Sequence, residues 1–317
     1  MLSENTINTQ VNSKMLFGIS NISFDVLEDD LFTQKQVTVT VLRLDKIHPV
    51  VSGNKLFKLQ YFLEEAIQTT HKTILSFGGA YSNHLLATAF ACRSLGLISI
   101  GIVRGEKPVV LSPTLQQCID HGMQVKFISR EAYALKENED FIRLLWKEFG
   151  ECLIVPEGGY HPLGAKGAAD IMDLIKDNNY SHICMAVGTA TTLAGILMAA
   201  KKEQTVIAIP VLKGMTDIHE RINFLTGGKP VATQLELADH YHFGGYAKQT
   251  AALTQFMDRC WQQFELPLDF VYTAKMFYGV MDGIKNNYYA PGSKILCLHT
   301  GGLQGNISLP AGSLAYH

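Results

Sequence analysis

The sequence predicts an α/β protein built on two open, twisted, mostly parallel sheets with flanking helices. Three observations carry that expectation. Short β-rich runs alternate with helix-length stretches along most of the chain. Several of these runs are apolar throughout, as strands are when both faces of a parallel sheet are covered. And 317 residues, 47% of them hydrophobic, are enough for a large core and about two domains.

In chain order, QVTVTVLRL (36–44) reads as a strand rich in β-branched residues. Ser52-Gly53-Asn54 is a turn, and Lys55, Leu56, Leu59, Phe62 and Leu63 behind it recur at helical spacing, giving a helix over 55–68. TILSF (73–77) is a strand running into Gly78-Gly79, after which Ser82-Asn83 opens a helix over 83–95. LISIGIVR (97–104), QVKFIS (124–129) and CLIVP (152–156) are further strands, with a helix at 139–149. Helices at 164–176 and 192–202 flank the apolar strand HICMAV (182–187), and TVIAIP (205–210) follows. The stretch 227–250, with GGKP, a His/Tyr cluster and FGGY, is the least regular. A helix over 275–287 and the strand KILCLH (294–299) complete the pattern. In such open sheets ligands lie at the carboxyl ends of the strands.

Composition excludes several classes of function. Lys and Arg number 27 against 29 Asp and Glu, so no electrostatic footprint points to nucleic acid or to an anionic membrane. The start, MLSENTINTQ, lacks the basic and apolar regions of a signal peptide, and no apolar run reaches the length of a membrane span. Six cysteines stand far apart without a CxxC pair, which argues against a disulfide framework or a metal site and for a reducing cytoplasm.

Glycine and polar residues meet a strand end or a helix mouth in four places. VSGNKLFKLQ (51–60) carries Lys55 and Lys58 one turn apart. SFGGAYSNH (76–84) brings Ser82, Asn83 and His84 to a helix mouth, where they cap the helix or grip a carboxylate or ring hydroxyl. VGTATT (187–192) offers the backbone N–H groups and hydroxyls of Gly188, Thr189, Ala190, Thr191 and Thr192, a phosphate-cradle pattern that is neither a Walker loop nor GxGxxG. HTGG (299–302) permits close backbone approach to a ligand. An ordinary capped turn accounts for each of these alone.

Together, SGNKLFKL, FGGAYSNH, PEGGYHPLGAKG, VGTATTLAG, GGYA, DFVYTAKM and HTGG resemble the 1-aminocyclopropane-1-carboxylate (ACC) deaminase / D-cysteine desulfhydrase family, in its order and near its spacing over about 40–305. That family has the type II pyridoxal-phosphate (PLP) fold of the tryptophan synthase β subunit. The resemblance implies a larger, discontinuous cofactor domain over 1–57 and 164–317, a smaller α/β domain over 58–163, and a homodimer. It makes Lys55 the Schiff-base lysine and Lys58 its phosphate-side partner. It sets Asn83 at the ring oxygen, Ser82, Asn83 and His84 at the substrate, and Gly188 to Thr192 at the phosphate. Tyr246 and Tyr272 match substrate-site tyrosines, and Thr273 matches the partner of the pyridine nitrogen. Ser82, Tyr246 and Tyr272 join Lys55 as catalytic candidates, and Lys55, Ser82 and Tyr246 compete for the α-proton. Departures are Ser52 and Phe57, where the family carries glycine and arginine, the glycine-poor phosphate loop, and LQGNIS after HTGG.

The implied activity is PLP-dependent α,β-elimination on a small D-amino acid, foremost D-cysteine to pyruvate, sulfide and ammonia. Thr273, where ACC deaminases carry glutamate, is expected to leave the ring nitrogen neutral and the electron sink weaker. His84, where they tend to carry glutamine, points the same way. ACC deamination to 2-oxobutyrate is the alternative, and a non-enzymatic PLP- or phosphate-binding protein is an alternative of another class. A neutral amine is needed at Lys55, and positive charge from Lys58 is expected to help supply it.

Overall fold

A computed structural model describes residues 21–69, 71–176 and 179–316; the N-terminal segment read for a signal peptide lies outside them. Ten strands among the described residues form two sheets. The first has the order β1 (Phe24–Leu27), β2 (Thr38–Arg43), β10 (Lys294–His299), β7 (His182–Val187), β8 (Thr205–Pro210) and β9 (Gln234–Leu237). Only β1, antiparallel to β2, departs from parallel pairing. The second sheet, β5 (Gln124–Ile128), β4 (Ile98–Arg104), β3 (Thr73–Gly78) and β6 (Leu153–Val155), is wholly parallel.

The apolar strands are explained by two cores, one on each face of the first sheet. On β10, Leu296 and Leu298 enter one core while Ile295 and Cys297 enter the other. On β7, Ile183 and Met185 alternate in the same way with Cys184 and Ala186. Since successive strand residues point to opposite faces, two buried faces leave no polar position in the pattern.

The helices are α1 (Asp30–Lys35), α2 (Lys55–Gln68), α3 (Asn83–Ser94), α4 (Pro113–Asp120), α5 (Arg130–Ala134), α6 (Glu139–Phe149), α7 (Pro162–Ala169), α8 (Thr191–Ala199), α9 (Ile218–Leu225), α10 (Ala251–Phe264) and α11 (Thr273–Lys285). The eight expected strands are present within about two residues, and so are most of the expected helices. The helix expected over 164–176 instead begins at Pro162, capped by His161, and ends at Ala169 before a short 3-10 turn at Met172–Leu174. Seven elements were not expected: β1, α1, α4, α5, α9, α10 and β9, the last lying inside the stretch judged irregular. β9 is a four-residue edge strand, QLEL, too short and exposed to show a periodic signal.

One stack positions the site. A Cβ on Gly167 would lie 1.9 Å from the Phe57 carbonyl oxygen, and one on Gly195 would lie 2.5 Å from the Ala165 carbonyl oxygen. Glycine at these two places lets α7 sit between α2 and α8 at backbone contact. The mouths of α2 and α8 consequently meet, and Asn54 Nδ2 donates to Thr192 Oγ1 at 2.8 Å.

Candidate active site

Lys55 opens α2 after Gly53, whose φ of 69° only glycine adopts without strain. Here a side chain would also collide with the strand end, since a Cβ on Gly53 would stand 1.9 Å from the Thr300 carbonyl oxygen. The Asn54 N–H donates to that same carbonyl, and Lys55 Nζ donates to Asn54 Oδ1 at 2.7 Å. Burial pulls the Lys55 amine down to about 8, against the opposing pull of the Asp269 carboxylate. The expected help from Lys58 is not what lowers it. Instead burial, and next the charge of Lys55, hold Lys58 well below the usual lysine range. Lys58 Nζ donates to the Gly158 carbonyl at 3.1 Å, so it lies inside the fold rather than in water.

At the mouth of α3 Ser82 caps the helix, its Oγ accepting from the Leu85 N–H at 3.2 Å, and its own proton meets no acceptor among the described residues. Among the described residues, buried Asn83 Oδ1 has no hydrogen-bond partner, and neither does His84 Nδ1. His84 Nε2 lies 3.1 Å from Ser76 Oγ, whose own proton goes to the Val155 carbonyl. Burial, then the charges of Lys55 and Lys58, push the imidazole down to about 3. The ring is neutral at any ordinary pH.

The loop between β7 and α8 turns through Ala190 at φ 63°, a left-handed backbone uncommon for a residue with a Cβ. Such a turn at a helix mouth aims successive N–H groups at one point, the pattern of an anion nest. Thr189 and Thr191 hydroxyls lie 2.9 Å apart. A Cβ on Gly158 would meet Thr189 Cγ2 at 2.9 Å, so Gly158, Lys58 and this loop border one space. Gly188 faces the Tyr272 ring, and Tyr272 donates from its hydroxyl to that of Tyr246 at 3.4 Å. Burial first, then Tyr246, raises the Tyr272 phenol well above its usual range, so it stays protonated.

Thr273 opens α11 fully buried, and its hydroxyl donates to Asp269 Oδ1 at 2.6 Å while accepting from the Asp269 N–H at 2.8 Å. The threonine's one proton thus goes to the Asp269 carboxylate. Sequence reading missed Asp269, which looked like part of a supporting motif, and Asn54, which looked like a turn residue.

The candidates thus lie where β3, β7 and β10 end and α2, α3, α8 and α11 begin, except Tyr246, which stands half-exposed in the loop before α10 and reaches the site through Tyr272. A Pyrococcus abyssi protein provisionally named 1-aminocyclopropane-1-carboxylate deaminase is 29% identical over 284 residues, 85% of this chain and 86% of its own. The mitochondrial bifunctional D-cysteine desulfhydrase/1-aminocyclopropane-1-carboxylate deaminase of Arabidopsis thaliana is 29% identical over 280 residues, 80% of this chain and 70% of that one. A solved ACC deaminase homologue aligns with a TM-score of 0.75 at 25% identity, covering 90% of both chains. The family model described as "Pyridoxal-phosphate dependent enzyme" matches residues 29–301. By that match, over most of its length, the chain belongs to the family of pyridoxal-phosphate dependent enzymes, with the type II fold and PLP as cofactor.

Proposed function

We propose that this chain carries out α,β-elimination on a small D-amino acid, D-cysteine foremost, releasing pyruvate, sulfide and ammonia. The observation that carries the reading is a half-buried amine, Lys55, drawn to about 8 at the mouth of α2, together with two buried polar atoms at the mouth of α3, Asn83 Oδ1 and His84 Nδ1, that lack partners among the described residues. Unpartnered buried polar atoms are costly and point to a polar ligand. The residues fit PLP: two lysines, a helix mouth with a left-handed turn before it, and a glycine whose side chain would fill the space between them.

In this reading Lys55 would hold the cofactor through Nζ and Asn83 would meet its ring oxygen. Gly188, Thr189, Ala190, Thr191, Thr192 and Lys58 would hold the phosphate, and Thr273 the ring-nitrogen end. When bound, the cofactor supplies an electron sink for the carbanion left by the α-proton. The chain does the rest. Ser82 Oγ has a free proton to donate to the substrate carboxylate, beside neutral His84. Lys55 Nζ, aimed by Asn54 Oδ1, takes the α-proton, with Ser82 and Tyr246 as rivals for that role. Tyr272, kept protonated, donates to Tyr246 at the substrate side. The two units over 1–57 with 164–317 and over 58–163, the homodimer and a cytoplasmic setting belong to the same proposal.

ACC deamination is the second reading, favoured by the names of the Pyrococcus and Arabidopsis relatives. Incubating purified protein with D-cysteine or ACC, and following sulfide against 2-oxobutyrate, separates the two. Borohydride reduction should label Lys55, and Lys55→Ala should lose the visible absorbance and roughly 10²–10⁴-fold in turnover. A variant that keeps both colour and activity would sink the reading.

A further inference from the structure

Tyr133 and Arg104 are polar groups beside the site to which the reading above gives no task. Tyr133, on the short helix α5, is only 3% exposed, yet its hydroxyl makes no hydrogen bond of ordinary geometry among the described residues. Its ring packs edge-on against Phe77 with centroids 6.1 Å apart, and the Arg104 guanidinium lies over it, 5.7 Å from the centroid. Phe77 and Arg104 stand at the carboxyl ends of β3 and β4, the edge of an open parallel sheet where ligands lie. Three observations set the pair against the candidate residues. Phe77 precedes Gly78, where a Cβ would lie 2.5 Å from Ser82 Oγ, and a Cβ on Gly79 would lie 3.8 Å from Arg104 Nη2. The Tyr133 phenol feels Tyr246, the partner of Tyr272. It also feels Glu157, which immediately precedes the glycine whose carbonyl holds Lys58.

We propose that Tyr133 and Arg104 form the far wall of the substrate site and select a side chain ending in an acceptor oxygen, such as the carbonyl of an O-acyl serine. The proposal rests on the roles given above to Lys55 and Ser82, and deepens the elimination reading by naming a substrate class.

A buried hydroxyl without a partner is costly, and a ligand acceptor removes the cost. Burial first, then the Glu157 carboxylate, raises the Tyr133 phenol above its usual range, so its proton stays in place. Glu157 does not accept that proton with ordinary geometry; its Oε2 lies 3.7 Å from Lys136 Nζ, which is also 3.8 Å from Glu137 Oε1. Two carboxylates thus balance Lys136, whereas Arg104 meets Tyr133 as a cation over a ring and not through a hydrogen bond. A hydroxyl and a guanidinium are both donors, so the group that suits them is an acceptor. A thiol is a weak acceptor, and ACC carries no oxygen beyond its carboxylate. A carbonyl oxygen satisfies both donors, and the guanidinium strengthens its share by being charged. Elimination from such a substrate breaks the Cβ–O bond, and the acyl oxygen leaves with the electron pair as a carboxylate. One water then turns the remaining three-carbon unit into pyruvate and ammonia.

The test follows pyruvate from O-acetyl-D-serine and from D-cysteine with the intact PLP-loaded protein, as wild type, Tyr133→Phe and Arg104→Met. Tyr133→Phe keeps the ring against Phe77 and removes only the hydroxyl. Its ratio of kcat/KM for O-acetyl-D-serine over D-cysteine should fall roughly tenfold, the value of one hydrogen bond. Arg104→Met should lower the same ratio by about tenfold to a hundredfold, with the loss in KM. A ratio that holds while both rates or the melting temperature drop makes the pair packing residues and overturns the proposal. Affinity read from the visible spectrum of bound PLP separates recognition from leaving-group chemistry. O-acetyl-D-serine should bind the wild type more tightly than O-ethyl-D-serine, which lacks the carbonyl, and the gap should shrink in both variants. Equal affinities in the wild type overturn the proposal alone, even where D-cysteine is turned over. If neither amino acid yields pyruvate the elimination reading fails, and the affinity comparison still decides the wall. Borohydride labelling away from Lys55 removes the site reading and this proposal with it.

Discussion

Lys55 and Lys58 stand one turn apart on one helix, yet their surroundings give them different chemistry. Lys55 is held by Asn54 Oδ1 and drawn to about 8, while Lys58 is bound to the Gly158 carbonyl and is held well below the usual lysine range by burial and then by the charge of Lys55. Only the neutral amine captures an aldehyde, so the rate of PLP capture by cofactor-free protein should rise with pH through about 8 rather than through the ordinary lysine value. Stopped-flow absorbance against pH reads this directly. His84 makes the opposite end of the scale testable. Its folded-state value near 3 lies below the ordinary 6.5, so between these the unfolded chain binds a proton that the folded chain does not. Stability therefore rises with pH across that window and is lost on acidification. His84→Gln should flatten this part of the profile, as read by urea unfolding at neutral pH and at about pH 4. An unchanged acid loss would show that the imidazole is not the group responsible.

Among the elements, α7 is the part whose packing most directly sets the site. With the Gly167 Cα in backbone contact with Phe57, Gly167→Ala forces α2 and α7 apart. Overpacking of this kind costs about 1–3 kcal/mol. The expected result is a lower melting temperature together with weaker PLP binding, because the lysines and the Asn54–Thr192 link ride on the displaced helix. A stability loss with unaltered PLP affinity would mean that the stack does not position the mouth. GAKG in the sequence allowed close packing but named no partner, since Phe57 lies over a hundred residues away. The strands were legible for a local reason: two covered faces impose an unbroken apolar run. α10 and β9 escaped because a helix and an edge strand with wet faces are diluted by the polar residues around them.

For the whole molecule, the cofactor would touch helix mouths that belong to both sheets, α3 after β3 and α8 after β7. PLP should therefore stabilise the entire fold by about 2.7 kcal/mol at a hundredfold excess over its Kd. Calorimetry should show one transition moving upward with PLP concentration, and a smaller rise for Lys55→Ala. Two transitions of which only one moves would place the ligand within a single unit. No helix among the described residues is long and apolar enough to cross a membrane.

The sequence by itself determined the layered α/β architecture, the strand ends and the lysine behind Ser-Gly-Asn, because these are recorded in local periodicity and in short motifs at fixed spacing. Tertiary structure alone decided what each polar group faces. It gave the Thr273 proton to Asp269, buried Lys58 against Gly158 and left Asn83 Oδ1 and His84 Nδ1 without partners among the described residues. Burial and hydrogen-bond direction depend on neighbours remote along the chain, and those fix the charge each residue carries.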